Sequence, residues 1–506
     1  MRTRTRSANT AFPAVNALPL AIFTAWLLSL AGTLHAANYF LDAQSGDDGR
    51  SGLSEGQPWK SLDRFNRQAF QPGDHIWFKA NTRFQGQLRP MGSGSALQPI
   101  RIGAYGKGAR PRIDGGGAYL DTLLLRNIEF WEVRDLEVTN LGPRRQAGQT
   151  GVRIVSDGLG AMRHIHLQNV YVHDVNGDLR KDYEGCGIFF ESKGANASHF
   201  EDLLIENCHV SHVDRNGICQ RTSNGARSLR VVIRGNLLED IGGDCIKVWG
   251  SNGALVENNV VRGGRTRARD AAAGIWPWDC DDTLIQCNEV SGMKGTNDGQ
   301  AFDSDYRCRR SIFQYNYSHD NEGGFMLVCS PGNSYCEDTI IRYNISQNDG
   351  LDSASNFHFG GKSTDSWIYN NDIYIGPARN LPLLLFTTWD GGDASDAHFC
   401  NNIFYVDGQV GYQWGKSRNV TFEDNVFYGR HQGVPRDSNP LTARPPLGKP
   451  GSGGNGMQSL SGYQWPASSQ YPAGKIVPGN GGRDFFGNQV PAGVPPSVGA
   501  FQPVIH

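Results

Sequence analysis

Eight asparagines fall into one column of this chain: Asn236, Asn259, Asn288, Asn316, Asn344, Asn371, Asn402 and Asn425, at spacings of 23, 29, 28, 28, 27, 31 and 23 residues. Each follows a short alternating apolar run, as in Val232-Ile233-Arg234-Gly235-Asn236 and Ile340-Ile341-Arg342-Tyr343-Asn344, and precedes a few strand formers and a Gly/Asp turn. A unit this short, built of strands and turns with no helical period, cannot bury its apolar side chains alone and must stack on copies of itself. A parallel β-helix with one coil per repeat satisfies that demand, with the Asn side chains hydrogen-bonded along the stack. The competing architecture, a β-propeller, needs repeats of about 40 residues or more and four strands per blade. The 64 glycines among 506 residues, with no collagen-like period, fit many tight turns between short strands.

Ahead of the array, Tyr39 to Leu41, Ile76 to Lys79, Ile100 to Ile102, Leu123 to Leu125 and Val152 to Val155 read as earlier strands. Lys60 to Gln68 reads as a short amphipathic helix plugging the open N-terminal end, which would otherwise expose strand edges and apolar core. The organisation expected is a signal peptide over 1–36, the β-helix over 37–430 and a Gly/Pro-rich tail over 431–506 with a closing strand near Ser497 to Phe501. The leader reading rests on Arg2, Arg4 and Arg6, the apolar stretch Leu18 to Leu30 and the small-residue ending at Ala36, which together imply a secreted or periplasmic protein. The apolar run is too short to span a bilayer comfortably, so stable membrane insertion is not expected. The near-neutral formal charge of −2 argues against a nucleic-acid binder. All ten cysteines lie between Cys186 and Cys400, an even count that fits an oxidising compartment. Cys329 with Cys336, and less clearly Cys280 with Cys308, are candidate disulfides, with buried thiols as the alternative.

The opening Tyr39-Phe40-Leu41-Asp42, Gly46-Asp47-Asp48-Gly49, Pro58-Trp59-Lys60-Ser61-Leu62, Pro72-Gly73-Asp74, Gly103-Ala104-Tyr105-Gly106 and Pro111-Arg112-Ile113-Asp114-Gly115 resembles the start of secreted right-handed parallel β-helix proteins of the pectin-lyase-like superfamily. The ending Pro495-Pro496-Ser497-Val498-Gly499-Ala500-Phe501 is similar to their closing strand. The resemblance implies an all-β chain forming a single-stranded right-handed parallel β-helix of about a dozen coils, with an N-terminal cap and a C-terminal tail. It does not fix the reaction, because the superfamily holds polysaccharide lyases, glycoside hydrolases, uronan epimerases, esterases and non-catalytic surface proteins.

Aligning the second strand of each coil sends Ile188, Ile218, Ile246, Ile275, Phe302, Phe325 and Phe357 into the core. The alternate residues then form an outward stripe of Glu191, Arg221, Lys247, Trp249, Trp276, Trp278, Asp303, Asp305 and His358, on coils roughly 4.8 Å apart. Aromatic faces for sugar rings beside carboxylates for hydroxyls are the mixed chemistry of a carbohydrate cleft, so a polysaccharide is the expected partner. The bland alternative packs the tryptophans under the loop Gly263 to Ala273.

Two residues apart on one strand, Asp303 and Asp305 share a face, and like charges so placed push one carboxyl upward. That pair is the expected acid and base of a glycoside hydrolase acting without a cofactor, with Trp249, Trp276, Trp278, Arg221, His319, Glu322 and His358 binding substrate. The second reading is β-elimination on a uronan: Lys247 as base, Ca²⁺ on Asp279, Asp281 and Asp282, and Arg262, Arg265, Arg267 and Arg269 attracting an anionic polymer. It follows the resemblance to a lyase family of the superfamily that uses a strand Lys and Asp-bound calcium. Polygalacturonase-like hydrolases are similar only in the Asp281-Asp282 pair. A non-catalytic glycan-binding solenoid is the third reading. His164 and His166 read as ordinary surface residues, and a monomer is expected.

Overall fold

The computed structural model describes residues 36–181, 185–351, 354–466, 469 and 471–503. The leader expected over the first 36 residues lies, but for Ala36, outside them. Ala36–His506 form one compact unit.

The chain winds as a right-handed parallel β-helix, and every pairing between its named strands is parallel. Each coil of the central array has three strands. Ile246–Trp249 belongs to one wall, Leu255–Glu257 to a second, and Val260–Arg262, directly after Asn259, to a third. Ile275–Trp278, Leu284–Gln286 and Glu289–Ser291 repeat the pattern one coil on. Below they are the site wall, the middle wall and the back wall. The lumen is one continuous apolar cluster running from Leu41 to Phe427.

The asparagine column marks the corner between the middle and back walls. From Asn236 to Asn425, each Asn donates both its backbone N–H and its side-chain amide to Oδ1 of the Asn one coil later, at 2.9–3.1 Å. Asp437 receives the last pair of bonds, from Asn425. The side chains are buried, so each satisfied amide removes the cost of an unpaired polar group, about 1–3 kcal/mol. An apolar residue would leave corner donors and acceptors without partners.

The five early strands form where expected, with longer bounds: Asn38–Leu41, His75–Lys79, Ile100–Tyr105, Asp121–Arg126 and Thr150–Asp157. The expected helix shrinks to one turn, Leu62–Phe65, because the Ser61 side chain caps it by accepting from the Arg64 N–H and only Leu62 and Phe65 face apolar neighbours. The closing strand does not form: Ser497 makes a single antiparallel bridge to Ala473. The tail instead runs back along the outside of the solenoid, where Gly456 N–H donates to Glu289, Tyr463 to Gln347 and Ala500 N–H to Asp372.

All ten cysteines are free. Cys336 points into the lumen while Cys329, five residues after Gly324, lies on the outer face beside Asp305, so the two thiols sit on opposite sides of the backbone. Cys280 and Cys308 stay in the core cluster as thiols.

Candidate active site

The site wall carries the register that builds the site. Ile246 pairs with Ile275 and Ile275 with Phe302, all buried in the lumen. The residues between them therefore face outward: Lys247 pairs with Trp276, and Trp249 with Trp278. On the next strand Phe302 is in the lumen and Ser304 hydrogen-bonds Thr339 inside the coil, so Asp303 and Asp305 project the other way.

One coil later the expected register slips. Phe302 and Phe357 both pair with Met326, not Phe325, because the strand starts after Gly323-Gly324, whose Gly324 adopts φ 109. Both Phe325 and Met326 are buried, which is why residue type alone did not separate them. The slip turns Leu327 and Cys329 outward next to Asp303 and Asp305. Cys329 is thus a site residue that the sequence reading missed.

These side chains line a cavity of about 500 Å³ together with Trp276, Trp278, Tyr306, His358 and Trp389. Asp303 and Asp305 lie at its floor, 5% and 7% exposed. Lys181, Asp244, Asp298 and Gln300 add to the polar lining, from loops outside the strand pattern that the sequence could not bring together. Trp278 Nε1 and Gln300 Oε1 are buried in this lining without hydrogen-bond partners, and a polar ligand would satisfy both.

Four carboxyl groups here differ sharply in proton affinity. Burial opposes charge on Asp244, but Lys181, Arg215, Lys247 and the Ala273 N–H outweigh it and hold that carboxylate below its usual range. Asp244 Oδ1 also accepts from Trp276 Nε1 at 3.2 Å, fixing the indole. Burial pushes Asp305 up to about 6, moderated by the Tyr306 N–H at 2.7 Å and by Lys181. Burial lifts Asp298 to about 7, Lys181 opposing and Asp244 adding repulsion. Asp303 is driven well above the carboxylate range, first by burial and then by repulsion from Asp305 and Asp298. Asp298 also has φ 144, whereas the other non-glycine residues with positive φ cluster between 45 and 63. Strain of this kind persists only where the surroundings enforce it, and it concentrates at functional sites.

The remaining expected residues divide. His358 lines the cavity, accepts or donates to Thr387 Oγ1 at 2.7 Å, and burial lowers it to about 4, so it is a neutral imidazole. Trp249 stands behind Trp278, ring centroids 5.4 Å apart, and Arg221 lies over Trp249. Trp276 is only 2% exposed, with Ala271 to Ala273 at the same cavity wall, so the loop-packing alternative holds for that ring in part. Glu191 is held by Lys193.

His319 and Glu322 are not in the cavity. His319 is on the back wall, stacked on Tyr317 and bonded to Asp320 and Glu289; burial opposes its charge, but those two carboxylates raise it to about 9. Glu322 accepts from Gly295 N–H and Lys294, bracing the loop that carries Asp298.

The Lys and Asp residues of the β-elimination reading lie outside the cavity lining. Lys247 is 2% exposed, wedged between the Trp249 and Trp276 rings at 5.5 and 5.6 Å, outside the cavity lining. Asp279 pairs with Arg227 and Arg307, Asp281 with Arg227, and Asp282 with Arg310. Arg265 is bound to loop carbonyls and Arg267 to Asp214 and Asp240, which removes them from any basic landing surface. The group in the cavity with metal-ligand spacing is Asp303, Asp305 and Cys329, the thiol 3.8 and 3.3 Å from the two carboxylates.

Residues 186–376 match the family model described as a right-handed β-helix region. The chain is 28% identical over 451 residues to a lacto-N-biosidase of Bifidobacterium longum subsp. longum, an alignment covering 68% of this chain and 28% of that protein. The crystal structure of a GH136 lacto-N-biosidase from Eubacterium ramulus superposes with TM-score 0.61 at 27% identity, over 76% of this chain and 67% of that one. A complex of XylC with xylose shares the fold at TM-score 0.54 and 11% identity, over 92% of this chain and 98% of that one. The chain thus spans under a third of the length of the curated relative it matches.

Proposed function

We propose that this protein is an exported glycoside hydrolase that cleaves a glycosidic bond in the cavity lined by Asp298, Asp303 and Asp305. The observation that carries the reading is the spread of proton affinities in one cavity. Burial raises Asp305 to about 6 and Asp298 to about 7, bringing both near neutral pH, with Asp298 the higher of the two. General acid–base catalysis is most effective when the group titrates near the working pH. Asp298 is accordingly the acid that protonates the leaving oxygen, and Asp305, steadied by the Tyr306 N–H, is the base or nucleophile. Asp303, driven well above the usual carboxylate range by burial and by repulsion from Asp305 and Asp298, serves as a hydrogen-bonding group beside Asp305. This refines the Asp303/Asp305 pair expected from the strand.

Trp276 and Trp278 supply apolar surface for a sugar ring, and the unpartnered Trp278 Nε1 and Gln300 Oε1 meet hydroxyls. The likeness to lacto-N-biosidases at 27–28% identity supports hydrolysis over elimination. Export follows from the Arg-rich, apolar start, and N-terminal sequencing of protein recovered outside the cytoplasm should begin near Ala37.

A glycan panel that includes lacto-N-biosidase substrates tests the reaction. New reducing ends without absorbance near 235 nm, unaffected by a chelator, are the expected result. An unsaturated uronide product would overturn it. The pH dependence of kcat/KM should be bell-shaped with limbs near 6 and 7.

A further inference from the structure

His164 and His166, unremarkable in the sequence, meet two carboxylates on the middle wall, far along the chain from the cavity residues. Three consecutive coils contribute: Trp131–Arg134, Ala161–Gln168 and His199–Glu206. His166 pairs directly with Glu132. On the other side the register passes from Arg163 with Glu201 to Ile165 with Leu203, leaving His164 and Asp202 level with one another in the left-handed region at φ 51 and 63. The kink breaks the strict alternation of the strand, and the His164 ring lies beside His166, centroids 3.9 Å apart.

Asp202 meets both rings, Oδ2 at 2.7 Å from His164 Nδ1 and Oδ1 at 3.2 Å from His166 Nε2. On its other edge His164 Nε2 lies 3.3 Å from Glu132 Oε1, so Glu132, His164 and His166 bring three ligand-type atoms within 4.8 Å of one another. The 3.3 Å separation is close to the ligand–ligand edge of a tetrahedral site with bonds of about 2.0–2.1 Å. Arg101 bonds Glu132 Oε2 at 2.7 Å and sits 3.4 Å from Oε1, holding the carboxylate from behind. The carboxylate behind an imidazole is the arrangement that orients histidine ligands toward a metal.

We propose that His164, His166 and Glu132 form a zinc-binding site, with Asp202 orienting the imidazoles, and that a bound ion clips adjacent coils of the solenoid together. Imidazole and carboxylate donors suit Zn²⁺ and not Ca²⁺ or Mg²⁺, which prefer oxygen alone. The site is independent of the proposed catalytic cavity.

Calorimetric titration of the metal-stripped full chain with ZnCl₂ at pH 7.5 tests it. One equivalent should bind, and binding should weaken at least about 100-fold in His164→Ala/His166→Ala and about 10- to 100-fold in Asp202→Asn. Zinc should raise the Tm of the parent protein and not of the double-histidine variant. Asp305→Asn/Cys329→Ser, which dismantles the other group with ligand spacing, should bind zinc like the parent. No binding by the parent at 100-fold excess, unchanged binding in a folded double-histidine variant, or loss confined to the cavity variant would each overturn the assignment.

Discussion

Two clusters of aspartates lie close together in sequence and behave oppositely. Asp279, Asp281 and Asp282 sit at the turn after the site wall, each facing an arginine. Asp298, Asp303 and Asp305 follow within one coil, yet they face one another, a thiol and aromatic rings. The turn carboxylates are balanced and structural. The cavity carboxylates are pushed upward by burial and mutual repulsion, which brings Asp298 and Asp305 to where they can exchange protons near neutral pH. Residue type is the same; the difference is what the neighbouring coils place opposite.

The sharpest way to break this contrast is by activity. Asp305→Asn and Asp298→Asn should each lower kcat/KM by about 10²–10⁴-fold, whereas Asp279→Asn should stay within about twofold. Steady-state kinetics showing equal losses in both clusters would erase the distinction. Next, Asp303→Asn replaces a carboxyl whose charge is opposed by burial and by Asp305, so it should cost less than about tenfold in kcat/KM; a loss as large as that of Asp305→Asn would return Asp303 to the acid/base role.

The converse effect belongs to stability. Asp279→Ala should lower unfolding free energy by about 1–2 kcal/mol in denaturant titrations, because Arg227 and Arg307 lose a shared, largely buried carboxylate. A second stability effect is in the pH dependence of Tm. An acid raised in the folded state binds its proton more tightly there than in the unfolded chain, so its contribution is complete below the ordinary value of 3.8 and is lost as pH rises through about 6 and 7. Asp282, held low by its hydrogen bond to Arg310, works the other way: its contribution is present above 3.8 and lost in acid. The cavity acids should therefore make the parent protein less stable at pH 8 than at pH 5, and Asp303→Asn should flatten that fall.

The Asn column, the alternation on the site wall and the outward placement of Trp276, Trp278, Asp303 and Asp305 were legible because they obey local rules: one corner residue per coil, one face per second residue. Cys329 was hidden by a one-residue slip at Gly323-Gly324, where Phe325 and Met326 are both apolar enough for the lumen. The disulfides failed because a cysteine count says nothing about which side of the backbone a thiol occupies.

From its sequence alone this chain determined a stacked solenoid, since a repeat of about 28 residues has no other way to bury its apolar faces. Only the tertiary structure decided which acids are charged, that Lys181, Asp244 and Asp298 join them, and that Lys247 lies shut behind tryptophan. Those outcomes depend on desolvation and Coulomb forces among groups tens of residues apart, which periodicity along the chain does not encode.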